Sequence, residues 1–154
     1  MASHSFKLSH SLWGIAALLL IEWLLLGHVG GVAQWLVCGV AMAGSVAMLY
    51  ISTEIIEEVR GKRHMLILLS ALVAEFVVFF AFQYAFLISL SPASFPTLHP
   101  DAVSLLLQST MVFVFNPLYL PGTGAGQALL LVHTLAALGL VLFVLQNVWQ
   151  FRRP

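Results

Sequence analysis

The chain has 154 residues, 61% of them hydrophobic and 8% charged, with a mean hydropathy of +1.02. A soluble domain carries about 25% charged residues, so a water-facing globule is excluded and an integral membrane protein is expected. Six acidic residues balance six Lys and Arg, which leaves no basic excess to hold nucleic acid. One cysteine, Cys38, excludes a disulfide framework and a thiolate metal cluster within the chain.

Four apolar segments follow one another: Leu12 to Gly27, Val32 to Ile51, Met65 to Leu90 and Gly124 to Trp149. As helices they reach about 24, 30, 39 and 39 Å at ~1.5 Å per residue. The last two exceed a hydrocarbon core of ~30 Å and should tilt or protrude. Lys7 before the first segment fits the start of a signal peptide, but Glu22 and Trp23 interrupt the run. The segment is read as a retained helix, giving four spans.

All six basic residues fall on one side of these spans. Lys7 precedes the first, Arg60, Lys62 and Arg63 separate the second from the third, and Arg152 and Arg153 follow the fourth. Short loops rich in Lys and Arg stay cytoplasmic, so both termini and the middle loop are expected inside. The second helix should continue through Thr53–Arg60, with Glu54 and Glu58 four residues apart on a solvated end.

The stretch from Ser91 to Gly126 holds five of the six prolines: Pro92, Pro96, Pro100, Pro117 and Pro121. Inside it, Asp101 to Phe115 is nearly all apolar, too short to span and too apolar for a solvated loop. Such a length is typical of a re-entrant or interfacial segment, whose non-helical backbone must hide in protein or water. Pro100 and Asp101 signal a helix start. Met111 to Phe115 is read as extended, ended by Asn116-Pro117.

This order of outer helix, short helix, extended strand and inner helix resembles the pore-loop domain of two-transmembrane potassium channels. The residues carrying the resemblance are Asp101-Ala102 at the helix opening, Ser109-Thr110 near its end, and Asn116 after the filter position. Pro121, Thr123 and Gly126-Gln127 then lead into Ala128–His133. The resemblance covers about residues 65–150 and implies a filter-like segment of Thr110, Met111, Val112, Phe113, Val114, Phe115 and Asn116. It also implies assembly of four copies around an axis. The family's two filter glycines are replaced by Phe113 and Phe115, and its hinge glycine by Ala137. A potassium filter needs consecutive carbonyls aimed at the axis, through backbone angles that glycine adopts freely and bulky residues resist. Conventional potassium selectivity is not expected.

Four polar residues fall at membrane depth: Glu22, Glu75, Gln83 and His133. Intramembrane ionisable groups face the protein interior and have partners. At ~1.5 Å per residue, Glu22, Gln83 and His133 lie about 8, 10 and 13 Å below the outer helix ends, in one layer. Glu75 is deeper, at about 22 Å, near Ser45. These residues suit a proton or cation relay, or a polar packing contact. His133 has no second deep histidine, so a bis-histidine haem is not expected. His28, His99 and Asp101 lack metal-ligand spacing. No cofactor, metal or catalytic residue is predicted, because no nucleophile–base pair, P-loop or dinucleotide motif is present.

Gly39, Ala43 and Ala47 recur every four positions on the second helix and are expected to let helices approach closely. Trp13, Trp35 and Trp149 fit an aromatic belt, and Trp23 is expected to pack on a neighbour. The sequence thus predicts an all-α membrane protein with four spans and a re-entrant hairpin between the third and fourth. Two functions are expected from it: a channel-like pore of four copies with Thr110, Asn116, His133 and Thr134 near the axis, or a non-catalytic subunit of a larger membrane complex. The partners expected are the lipid bilayer and, respectively, further copies or other membrane subunits.

Overall fold

Long runs of Leu, Ala, Val and Phe without internal proline propagate helix, and the proline-rich stretch between them breaks it. The computed structural model describes residues 2–26, 32–58 and 62–150, with side chains over 13–26, 32–53 and 65–149. It contains five α-helices and no strand among the described residues. They are α1 (Ala2–Leu26), α2 (Ala33–Glu58), α3 (Lys62–Leu90), α4 (Ala102–Phe113) and α5 (Gly124–Gln150). The one-sided basic residues lie outside the residues with described side chains.

Three helices are long and apolar enough to cross a membrane: Ala33–Thr53, Met65–Leu90 and Gly124–Trp149. They match the second, third and fourth segments expected from sequence. The first differs. The apolar part of α1, Trp13–Leu26, is shorter, because the helix before it carries His4, Lys7, Ser9, His10 and Ser11. The chain is therefore an all-α, multi-pass membrane protein by helix length and composition.

The helix ends follow local chemistry. Helix α3 stops at Ser91-Pro92, where a pre-proline residue disfavours helix. Asp101 caps α4 by accepting the Ser104 N–H at 2.9 Å. Thr123 caps α5, its Oγ1 accepting the Gly126 N–H at 3.2 Å and its carbonyl the Gln127 N–H at 2.9 Å. Gly126 has to be small, since a Cβ there would stand 2.6 Å from the Ser94 carbonyl oxygen.

Helices α2 and α3 form the middle of the bundle. Helix α1 packs mainly on α2, α5 packs on α2 and α3, and the short α4 wedges between α3 and α5. The core is aromatic: Phe76, Phe79, Phe80 and Tyr84 of α3 are buried against Val37, Ala41 and Met48 of α2 and Leu129, Ala137 and Leu140 of α5. Ring pairs are tilted or edge-on, as for Phe79–Phe80 (5.4 Å, 82°) and Tyr84–Phe95 (5.2 Å, 86°). In lipid such contacts hold helices by dispersion and close fit more than by apolar transfer, since the acyl chains outside are equally apolar.

Two sequence expectations are corrected here. The Gly39–Ala43–Ala47 row faces outward, and nothing lies within 4 Å of a Cβ placed on Gly39. The close approach of α2 and α3 occurs instead at Gly44, beneath the ring of Phe79. Trp23 is 62% exposed and turns most of its side chain away from this bundle.

Candidate functional site

Two buried polar pairs sit in the bundle. On the α1–α3 contact, Gln83 Nε2 donates to Glu22 Oε2 at 2.8 Å, and both side chains are at most 1% exposed. The other carboxyl oxygen, Glu22 Oε1, and the amide oxygen, Gln83 Oε1, have no hydrogen-bond partner. One residue further along α3, the Tyr84 hydroxyl meets His133 Nδ1 of α5 at 3.0 Å. The imidazole stacks on Phe80 (3.8 Å, 8°) and lies 5.5 Å from the Phe76 ring. Its Nε2 is buried without a partner. Depth alone places Glu22, Gln83 and His133 in one layer; the structure divides them between the two pairs. Glu75 is half-buried on α3, and Ser45 turns to the Ala41 carbonyl of its own helix.

The second candidate region is α4 and the loop after it. Ser109 Oγ donates to the Val77 carbonyl of α3 at 2.8 Å, fixing α4 on the outer helix. Gln108 clamps the loop: Oε1 accepts the Leu118 and Tyr119 N–H groups at 3.1 and 3.0 Å, and Nε2 donates to the Tyr119 carbonyl at 3.1 Å. Asp101 is exposed at the start of α4, and hydrogen bonds from Ser104 hold its carboxyl below the usual carboxylate range.

The filter-like residues are not extended as expected from sequence. Helix α4 runs through Met111, Val112 and Phe113. It ends in a Schellman-type turn, with Phe115 N–H donating to the Val112 carbonyl and Asn116 N–H to the Met111 carbonyl, at 2.9 and 2.8 Å. Val114 N–H takes the Thr110 carbonyl at 3.2 Å. Phe115 occupies the left-handed position of this turn, at φ 61°. Three helix bonds outweigh the β preference of Val and Phe, because α4 is anchored at Ser109 just before them. The Phe113 ring turns inward, 5.8 Å from Phe76 and edge-on to it. Val114, Phe115 and Asn116 are exposed.

Of the four residues expected near an axis, Thr110 and Asn116 are exposed, Thr134 is half-buried and bonded to the Leu130 carbonyl, and His133 is enclosed within the chain. His133 is therefore corrected from an axial to an interior residue. Sequence reasoning missed Tyr84 and Gln108. A lone carboxamide in α4, whose other polar side chains are the hydroxyls of Ser104, Ser109 and Thr110, is a legible signal for the second, whereas the Tyr84 partnership depends on helix rotation. No group of three His, Cys, Asp or Glu suited to a metal occurs among the described residues, and His28 lies outside them. Comparison with known protein families, characterised proteins and solved structures finds no match to this chain.

Proposed function

We propose that the chain is a pore-loop, ion-channel-like membrane protein whose segment 110–116 does not act as a potassium filter. In this reading α1, about 37 Å long at ~1.5 Å per residue, is a fourth span. Helix α4 and its loop form the re-entrant hairpin, and both termini are cytoplasmic. The observation that carries the reading is the capped, twelve-residue α4 packed against two spanning helices and followed by a loop clamped on Gln108. A row on α5 adds support. Leu131, Leu135, Leu138, Leu142 and Leu145 all point away from the chain, and their alternating spacing of four and three is that of a helix–helix seam. Such a row suits α5 packing against further copies around an axis.

Native mass spectrometry of the gently extracted protein tests this assembly. A homotetramer near four times 16.8 kDa supports the pore and leads to flux measurements in liposomes. A fixed stoichiometry with other polypeptides supports a second reading, a non-catalytic subunit of a larger membrane complex. One observation favours that alternative: the Thr110, Met111 and Val112 carbonyls are already taken by Val114, Asn116 and Phe115, leaving them no free role in replacing an ion's water. Deleting residues 101–116 then releases the chain from its partners, and retained association counts against the subunit reading.

A further inference from the structure

We propose that Glu22 and Gln83 form a proton-binding site in the membrane interior, independent of the pore reading. The single bond from Gln83 Nε2 to Glu22 Oε2 sets an amide and a carboxyl together and leaves two buried oxygens, Glu22 Oε1 and Gln83 Oε1, without a donor. One proton on the Glu22 carboxyl supplies a donor to this acceptor-rich pair. The carboxyl gives its O–H to the amide oxygen while the amide gives its N–H to the carboxyl. Turning the Gln83 amide over leaves the conclusion unchanged, since its oxygen then faces the carboxyl directly and again needs a proton there.

An ionised Glu22 would stand against this arrangement. A carboxylate removed from water with one hydrogen bond and no cation carries a large desolvation penalty, and lipid offers no relief. Among the described side chains, α2 and α3 carry no Lys, Arg or His to supply a counter-charge. Cys38 of α2 turns its thiol to the Ala125 carbonyl of α5, and Tyr84 of α3 is engaged with His133. Glu75 lies eight residues from Gln83, about 12 Å along α3, and is itself acidic. A hard divalent metal ion asks for about six or more oxygen ligands, and this pair has two open ones. The ligand that fits is a proton.

The site lies against an apolar groove. A groove of about 300 Å3 between α1 and α2, lined by Gly14, Ala17, Leu18, Leu25 and Val40, has Glu22 in its wall. It is apolar and open to the surface of the bundle, and Glu22 meets it as a buried wall residue.

Infrared spectroscopy of the full chain in lipid nanodiscs at neutral pH tests the proposal. A carboxylic-acid C=O band that shifts down in heavy water, disappears in Glu22→Gln and moves up in Gln83→Leu is the expected result. A spectrum in the acid region unchanged by Glu22→Gln overturns the proposal, and a band indifferent to Gln83→Leu overturns Gln83 as its acceptor. Should either variant fail to fold, dicyclohexylcarbodiimide on the wild-type chain decides. The protonated carboxyl adds across one C=N bond and the acyl group then migrates to nitrogen, with nothing leaving. A mass adduct mapped to Glu22 supports the site, and a wild-type spectrum with no carboxylic-acid C=O band at neutral pH overturns it.

Discussion

Tyr84 and His133 meet at 3.0 Å in a region walled by Phe76 and Phe80. Removing the hydroxyl orphans a second ring nitrogen beside the already unpaired Nε2. Tyr84→Phe should therefore destabilise the fold by about 1–2 kcal/mol, read as a lower thermal midpoint in detergent. Replacing both partners changes the sign of the argument. In Tyr84→Phe with His133→Phe the second ring keeps the stack on Phe80 and no ring nitrogen is left behind, so the midpoint should recover part of the loss, the rest belonging to the buried Gln108 amide that also meets the Tyr84 hydroxyl. A double variant less stable than Tyr84→Phe alone would show that the imidazole has a further partner. Phe115 makes the opposite case. A bulky side chain in the left-handed region is strained, and Phe115 is half-exposed, with little packing to lose. Phe115→Gly should raise the midpoint by the equivalent of about 1 kcal/mol, whereas Phe115→Val should lower it.

At the scale of elements, the loop between α4 and α5 has no regular structure, and one side chain holds its middle while Ser94 holds its end at Gly122 and Thr123. Gln108 satisfies three backbone groups of Leu118 and Tyr119. Gln108→Leu should cost about 2–3 kcal/mol and expose residues 114–123 to limited proteolysis, while Gln108→Glu keeps the two accepting bonds and should be milder only at acid pH, where a protonated carboxyl can still donate to the Tyr119 carbonyl. Equal cleavage of wild type and Gln108→Leu would remove the clamp. The helices themselves were legible in the sequence, because apolar run length and the Ser91-Pro92 break decide where α3 ends and Asp101 decides where α4 begins. What stayed hidden has one physical origin. Which side of a helix faces a neighbour depends on packing against partners far away in sequence, and near-uniform apolar helices give no amphipathic clue. Gly39–Ala43–Ala47 and Gly44 lie on adjoining faces of α2, and only the ring of Phe79 distinguishes them. The C-terminal turn of α4 misled for a different reason: Val and Phe favour strand only when a partner strand exists, and none is at hand beside α4.

At the scale of the whole molecule, the outward surface carries the functional question. Only 22% of the most apolar window of α5 is buried inside the chain, and its exposed leucines form one continuous row. If four copies surround an axis, that row borders a dry constriction, and hydrophobic constrictions stop ions by excluding water. Leu138 stands in the middle of the row, 44% exposed, and its substitution leaves the buried Ala137 and Leu140 contacts untouched. Leu138→Asn should then wet the constriction and raise ion flux in liposomes by about tenfold or more, the equivalent of ~1.4 kcal/mol removed from the barrier. Phe113→Ala separates the two ends of the path. Its ring packs on Phe76 within the chain, so it should act through the stability of the α4 end and alter flux less than Leu138→Asn does. Flux absent from wild type and both variants, in preparations that remain tetrameric, would remove conduction and leave the leucine row as a seam between subunits. A row that serves lipid alone predicts a third pattern, in which Leu138→Asn changes neither flux nor the mass of the extracted assembly.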